Sequence, residues 1–205
     1  MFAGTGSLFK ISPPGRRSEA HLNPVVTLAF WTQRKVHPHD LAGYVLSQFA
    51  GAVVGTSLVA VAWGSDATAV NFGTTTPGAG TTPAAAVLIK TAMTATLIGT
   101  ILLMTSSART ARWTPLVLWP LIATLVWQGA PYTGTGLNPA RSLGPALLAP
   151  HPTPYWVYAL GPALGGALAV TLFALLRQTH VVTAKLFHDL TYPSTLASSL
   201  PTTLR

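Results

Sequence analysis

Cysteine is absent from all 205 residues, and carboxylates are nearly so: Glu19, Asp40, Asp66 and Asp189 are the whole supply. The first absence excludes thiol catalysis, disulfides and Cys-based metal sites. The second leaves no paired acid and base of the kind hydrolases use, because the four acids are scattered singly. His37 and His39 have no acidic or Cys company at ligand spacing and read as loop residues, so no catalytic group, metal site or cofactor is implied. Charge of either sign is scarce at 8% of residues, against about a quarter in soluble proteins, while 49% are hydrophobic. That composition belongs to a membrane protein. A formal charge of +8 would suggest nucleic acid if the bases clustered, so their placement decides the matter.

Four segments are apolar and near the ~20 residues a bilayer demands: 41–63, 84–106, 115–130 and 155–177, the third being the shortest. Two further apolar runs, 22–31 and 137–149, reach about half that length and read as re-entrant. Lys10, Arg16, Arg17, Arg34 and Lys35 precede the first span, Arg109 and Arg112 divide the second from the third, and Arg177, Lys185 and Arg205 follow the fourth. The connections 64–83 and 131–154 carry no base except Arg141. Alternate loops are basic, which predicts both termini on the cytoplasmic side and removes the case for nucleic acid. Only Lys90 and Arg141 stay unexplained by topology.

The organisation expected is a cytoplasmic lead-in over 1–20, a channel-like domain over 21–178 and a polar, loosely ordered cytoplasmic tail over 179–205. The Gly/Thr/Pro-rich stretch 64–83 reads as a flexible external loop. Within the domain, 21–63 and 84–177 look like copies of one unit. "HLNPVVTLAF" from His21 aligns with "GLNPARSLGP" from Gly136 at an offset of 115, and Leu28/Leu143, Gly51/Gly166, Ala52/Ala167 and Thr56/Thr171 keep that register. Three spans separate the two Asn-Pro motifs, so the copies enter from opposite faces, as an inverted repeat does.

Asn is a favoured helix cap and Pro suits the first helical position, so each motif starts a half-helix whose positive end points into the membrane. Two such ends facing each other repel cations. A capping Asn can accept backbone N–H groups through its carbonyl and still offer NH2 to a passing solute. Gly51/Gly55 and Gly161/Gly165 add GxxxG faces on equivalent spans. The pattern describes a narrow polar pore in an all-α membrane protein of four spanning helices and two re-entrant half-helices.

The motifs "HLNPVVTLA" and "GTGLNPARSLGPAL", within a match over about 18–177, resemble the major intrinsic protein family of aquaporins and aquaglyceroporins. The resemblance implies a passive channel for water and small uncharged solutes in the cell membrane, usually a homotetramer with one pore per subunit. It assigns Asn23, Pro24 and Val25 to the first pore motif and Asn138, Pro139 and Ala140 to the second. Val25 replaces the family's usual Ala. Arg141 would sit at the selectivity constriction with Thr135 and Val126 as ring neighbours, and His21 at the cytoplasmic mouth. An intramembrane Arg facing a wet interior donates hydrogen bonds to solute and repels cations. Many water-selective members have His where Val126 stands, yet Ser142, Ala146 and Tyr158 resemble the water-channel subgroup; Ala159 departs from its usual Trp.

Other positions depart further from the family. Its first two spans precede the first half-helix, where this sequence has about twenty residues. A bare half-helix would leave backbone groups unpaired in lipid, so the sequence reads either as a fragment whose start lies upstream or as a non-conducting paralogue that only associates with intact subunits. Lys90 stands where the family usually has a Glu that braces a pore loop by accepting its N–H groups; a lysine only donates, so it is expected to reach a carbonyl or to snorkel. Glu19 stands where Gly is common. Gln48 is a candidate loop brace, and Trp31, Trp63, Trp113 and Trp156 fit interfacial anchors.

Overall fold

The computed structural model describes residue 9 and residues 12–176; the expected tail over 179–205 and most of the first eleven residues lie outside them. All secondary structure among the described residues is helical: α1 Pro13–Arg17, α2 Pro24–Thr32, α3 Pro38–Ala69, a 3-10 turn Asn71–Gly73, α4 Pro83–Thr105, α5 Ala108–Ala111, α6 Thr114–Thr133, α7 Pro139–Leu148 and α8 Tyr155–Leu176. Proline sets most of these starts. It occupies the first turn of α1, α2, α3, α4, α6 and α7, where its missing N–H costs nothing. Ser12, Asn23, His37, Thr82 and Asn138 cap five of those helices with their side chains.

Helices α3, α4 and α8 are long and apolar enough to cross a bilayer. The expected fourth span, α6, has the length at 20 residues, but with its Pro, Trp and Gln residues it is not among the helices apolar enough throughout to cross a bilayer by composition. It packs along α4. The first span was expected to end at Trp63, and the helix breaks there: Gly64 adopts φ 47°, ψ −115° before the chain resumes helix to Ala69. Only a residue without a Cβ takes that conformation cheaply. At 9 and 10 residues, α2 and α7 are each roughly 14–15 Å long, about half the ~30 Å hydrocarbon thickness, as re-entrant pieces should be.

The core lies where α2 meets α4 and α8. Val25, Val26 and Phe30 pack with Leu97, Ile98, Leu102 and Phe173 there, and Phe30, Ile98 and Leu102 are fully buried. Lipid tails are as apolar as these side chains, so close fit rather than water exclusion holds α4 to α8. The fit uses missing side chains: a Cβ on Gly161 would lie 2.5 Å from Lys90 Cβ, and one on Gly165 2.5 Å from the Thr91 carbonyl oxygen.

The loop after α3 departs from the flexible connection expected of its composition. Gly78 N–H donates to the Tyr132 carbonyl at 2.8 Å, and buried Thr75 lies 3.5 Å, oxygen to oxygen, from Ser142 on α7. Gly and Thr here permit close approach to α6 and α7 instead of mobility. A Cβ on Gly78 would lie 1.9 Å from the Pro131 carbonyl oxygen.

Candidate functional site

The two half-helices meet tip to tip, and the two asparagines bind each other's approach strands. Asn23 accepts the Val25 N–H at 3.0 Å, while its Nδ2 donates to the Leu137 carbonyl at 3.0 Å. Asn138 accepts the N–H groups of Ala140 at 3.1 Å and Arg141 at 3.3 Å, while its Nδ2 donates to the Leu22 carbonyl at 2.7 Å. Leu22 and Leu137 are themselves related by the offset of 115, so the crossed pair follows the internal symmetry of the repeat. Each NH2 carries two hydrogens and spends one in this cross, leaving one per asparagine for another acceptor.

Arg141 is held by the loop that follows α3. Its Nη1 donates to the Gly73 carbonyl at 2.9 Å, and a Cβ on Gly73 would come within 3.5 Å of Nη2. Gly73 and its neighbours Asn71 and Phe72 all have positive φ, so the 3-10 turn is a tight left-handed bend that aims a carbonyl at the guanidinium. A groove of about 550 Å³ runs past these groups, and its walls include His21, Leu22, Phe72, Asn138 and Arg141. Gln48, Gly51 and Gly55 of α3 form another part of its wall.

Gln48 braces the entry of α2, as a loop brace would. Its Nε2 donates to the His21 carbonyl at 2.8 Å and to Thr27 Oγ1 at 2.9 Å, tying α3 to the entry of α2. Tyr44 donates its hydroxyl to the Ser18 carbonyl at 2.9 Å. His21 is buried, with the rings of Phe30 and Tyr44 at 5.0 and 5.3 Å between centroids. Glu19 and Ala20 take φ of 57° and 61°, a left-handed conformation that favours Gly.

The remaining expected site residues fall elsewhere. Val126, 39% exposed on α6, is not in the wall of the groove that holds Arg141, and neither is Thr135. Thr135 has φ 61°, its hydroxyl donates to the Gly134 carbonyl at 2.8 Å, and its methyl would lie 3.2 Å from a Cβ on Gly129. Val25 turns away from the groove and is buried against α8, where a Cβ on Gly166 would lie 2.4 Å from Val25 Cγ1. Pro24, Pro139 and Ala140 are buried, Ala140 also reaching the groove wall. Among the described residues Lys90 Nζ reaches no carbonyl, and it does not snorkel. It is fully buried, with Nζ 4.8 Å from the Tyr158 ring centroid. Sequence reasoning missed the Gly73 carbonyl and Phe72; the sole signal was a glycine inside a turn-rich loop.

Crossed asparagines at the tips of opposed half-helices, set in a bundle built from an inverted repeat, define a helical membrane protein with two-fold internal pseudosymmetry. Residues 7–173 match the family model described as Major intrinsic protein, and the chain belongs to that family. It is 32% identical over 169 residues to lens fiber major intrinsic protein of Gallus gallus, covering 78% of this chain and 62% of that protein. It is 37% identical over 165 residues to the probable aquaporin PIP2-8 of Oryza sativa subsp. japonica (75% and 59%), and 29% over 161 residues to aquaporin-4 of Mus musculus (78% and 50%). The chain thus spans between 50% and 62% of the length of these relatives. The solved aquaglyceroporin from Plasmodium falciparum shares the fold at a TM-score of 0.60 and 20% identity, over 75% of this chain and 71% of that one.

Proposed function

We propose that the chain forms the pore-bearing part of a passive channel for water and small uncharged solutes, without covalent chemistry. The observation that carries this reading is the crossed Asn23–Asn138 pair beside Arg141. One free N–H on each asparagine can orient a solute oxygen at the meeting point of two positive helix ends. Arg141, anchored on Gly73, adds a fixed cation to the groove that Asn138 lines; Asn23 is outside that wall and is tied to the second motif through the Leu137 carbonyl. A neutral molecule with a lone pair is favoured there, whereas a cation meets two helix dipoles and a guanidinium. His21 is in the wall of this passage, whereas Thr135 and Val126 are not, so selection rests on Arg141 and the asparagines.

The finer assignment is a cell-membrane channel with both termini cytoplasmic, assembled as a homotetramer. The basic connections support the orientation, and the exposed tryptophans near helix ends, Trp31, Trp63, Trp113 and Trp156, fit anchors at both membrane faces. Stopped-flow light scattering on vesicles carrying the chain tests conduction. Water permeability above that of empty vesicles is expected, and equality with them means a non-conducting protein. In a conducting preparation Arg141→Ala should raise proton leak while water still passes; an unchanged leak removes Arg141 from the selectivity role.

A further inference from the structure

The turn that follows α3 bends left-handed through three residues in a row, and the middle one is aromatic. Asn71, Phe72 and Gly73 have φ of 50°, 53° and 69°, with ψ 20° at Phe72. Glycine takes this conformation freely and asparagine tolerates it, but a bulky side chain is an outlier there. Nothing local offsets the strain, since Asn71 Oδ1 and Thr74 Oγ1 are buried without a hydrogen-bond partner among the described residues. What holds the turn is tertiary. Arg141 Nη1 donates to the Gly73 carbonyl at 2.9 Å, Thr75 lies buried 3.5 Å from Ser142, and Gly78 N–H donates to the Tyr132 carbonyl at 2.8 Å. Strain of this kind persists only where the surroundings over-determine it, and it gathers at functional sites.

The result of that strain is a ring in the passage. Phe72 is in the wall of the groove that Asn138 and Arg141 line, where Val126 and Thr135 are not. One peptide separates Phe72 from the carbonyl that Arg141 grips, so its Cα is no more than about 9 Å from Nη1. A guanidinium returns hydrogen bonds to a solute oxygen; an apolar ring returns none and occupies width. Water needs little room and has its oxygen served, whereas a three-carbon polyol needs more room and has further hydroxyls to satisfy. We propose that Phe72 is the size-selecting residue of this passage, fixed beside Arg141 by the Gly73 carbonyl, so that water passes and glycerol is held back. Arg141 thereby has a second duty as the positioning residue for Phe72. The inference rests on the channel reading and names its solute limit.

The test measures two permeabilities on the same vesicles carrying the full chain: water by shrinkage in an impermeant osmolyte, and glycerol by reswelling. Phe72→Gly and Phe72→Ala should each raise the glycerol-to-water ratio about tenfold or more, while Phe72→Leu, which keeps most of the bulk, stays within about threefold of the parent. A conducting parent whose ratio is unchanged in Phe72→Gly overturns this inference alone. Parent vesicles no more permeable to water than empty ones overturn the channel reading, and this inference with it, so the two failures are distinguishable. Thermal unfolding in detergent gives a second readout that needs no transport. Phe72→Gly should melt roughly 2–4 °C above Phe72→Ala, because only glycine takes φ 53° without strain. Equal or reversed midpoints would mean that position 72 is not held left-handed, which also overturns the assignment.

Discussion

Helices α3 and α8 are repeat equivalents, yet their small-residue faces have opposite fates. On α8, Gly161 and Gly165 are met by α4 and Gly166 by Val25 of α2, each so closely that a Cβ would come within 2.5 Å of a neighbour. On α3, Gly43, Gly51 and Gly55 have nothing within 4 Å of where a Cβ would stand. The apolar window of α8 is 33% buried and that of α3 only 6%. The same pattern of small residues is an interface in one copy and an open wall of the groove in the other. A glycine stripe is a capacity for close approach, and a neighbour is needed to make it an interface.

The sharpest way to break this comparison is to fill both faces at matched positions. Gly165→Leu should cost on the order of 3 kcal/mol or prevent folding, because Thr91 backbone cannot yield. The second glycine of the α3 pair, as Gly55→Leu, should stay within about 0.5 kcal/mol because nothing lies within 4 Å of where its Cβ would stand. Thermal unfolding in detergent reads both, and similar losses would mean that α3 is covered. Next in size are the capping asparagines. Asn138→Ala and Asn23→Ala each lose a cap and a cross-motif bond, about 2 kcal/mol together, with Asn138 the costlier because it accepts two N–H groups rather than one. The double variant should lose less than the sum, since each bond serves the same junction; strict additivity would separate the two tips.

Smaller effects refine the contrast. Gln48→Leu removes the two bonds that tie α3 to α2 and should cost about 1–2 kcal/mol, seen as earlier unfolding and faster proteolysis near His21. The equivalent position on α8 is Ala163, so the second copy has no such brace to lose. Smallest of all, Gly55→Ala should stabilise by about 0.5–1 kcal/mol through helix propensity, since its side chain meets open space. A loss instead of a gain would show that something packs on that face.

Much of the fold was legible because its cues are local. Pro after Asn or Thr set helix starts, Gly64 set the end of the first span, and run length separated α2 and α7 from the full spans. The convergence of Asn23 and Asn138 followed from the offset of 115 and the odd number of intervening spans. Composition misled at the loop after α3, where Thr75 and Gly78 are chosen for docking. It also could not foresee that Val25 faces Gly166, or that Gly73 offers its carbonyl to Arg141. Those contacts join residues 68 and more positions apart, and no periodicity or cap signal connects them.

The sequence by itself determined a membrane-embedded inverted repeat with two capped half-helices and two bases, Lys90 and Arg141, that topology does not explain. Helix caps and hydrophobic run lengths act within a few residues and need no tertiary information. The tertiary structure alone decided which polar atoms are spent: the crossed amides, the carbonyl that anchors Arg141, and a buried Lys90 Nζ with no acceptor among the described residues. Hydrogen-bond satisfaction depends on where distant backbone groups come to rest, and packing of whole helices settles that.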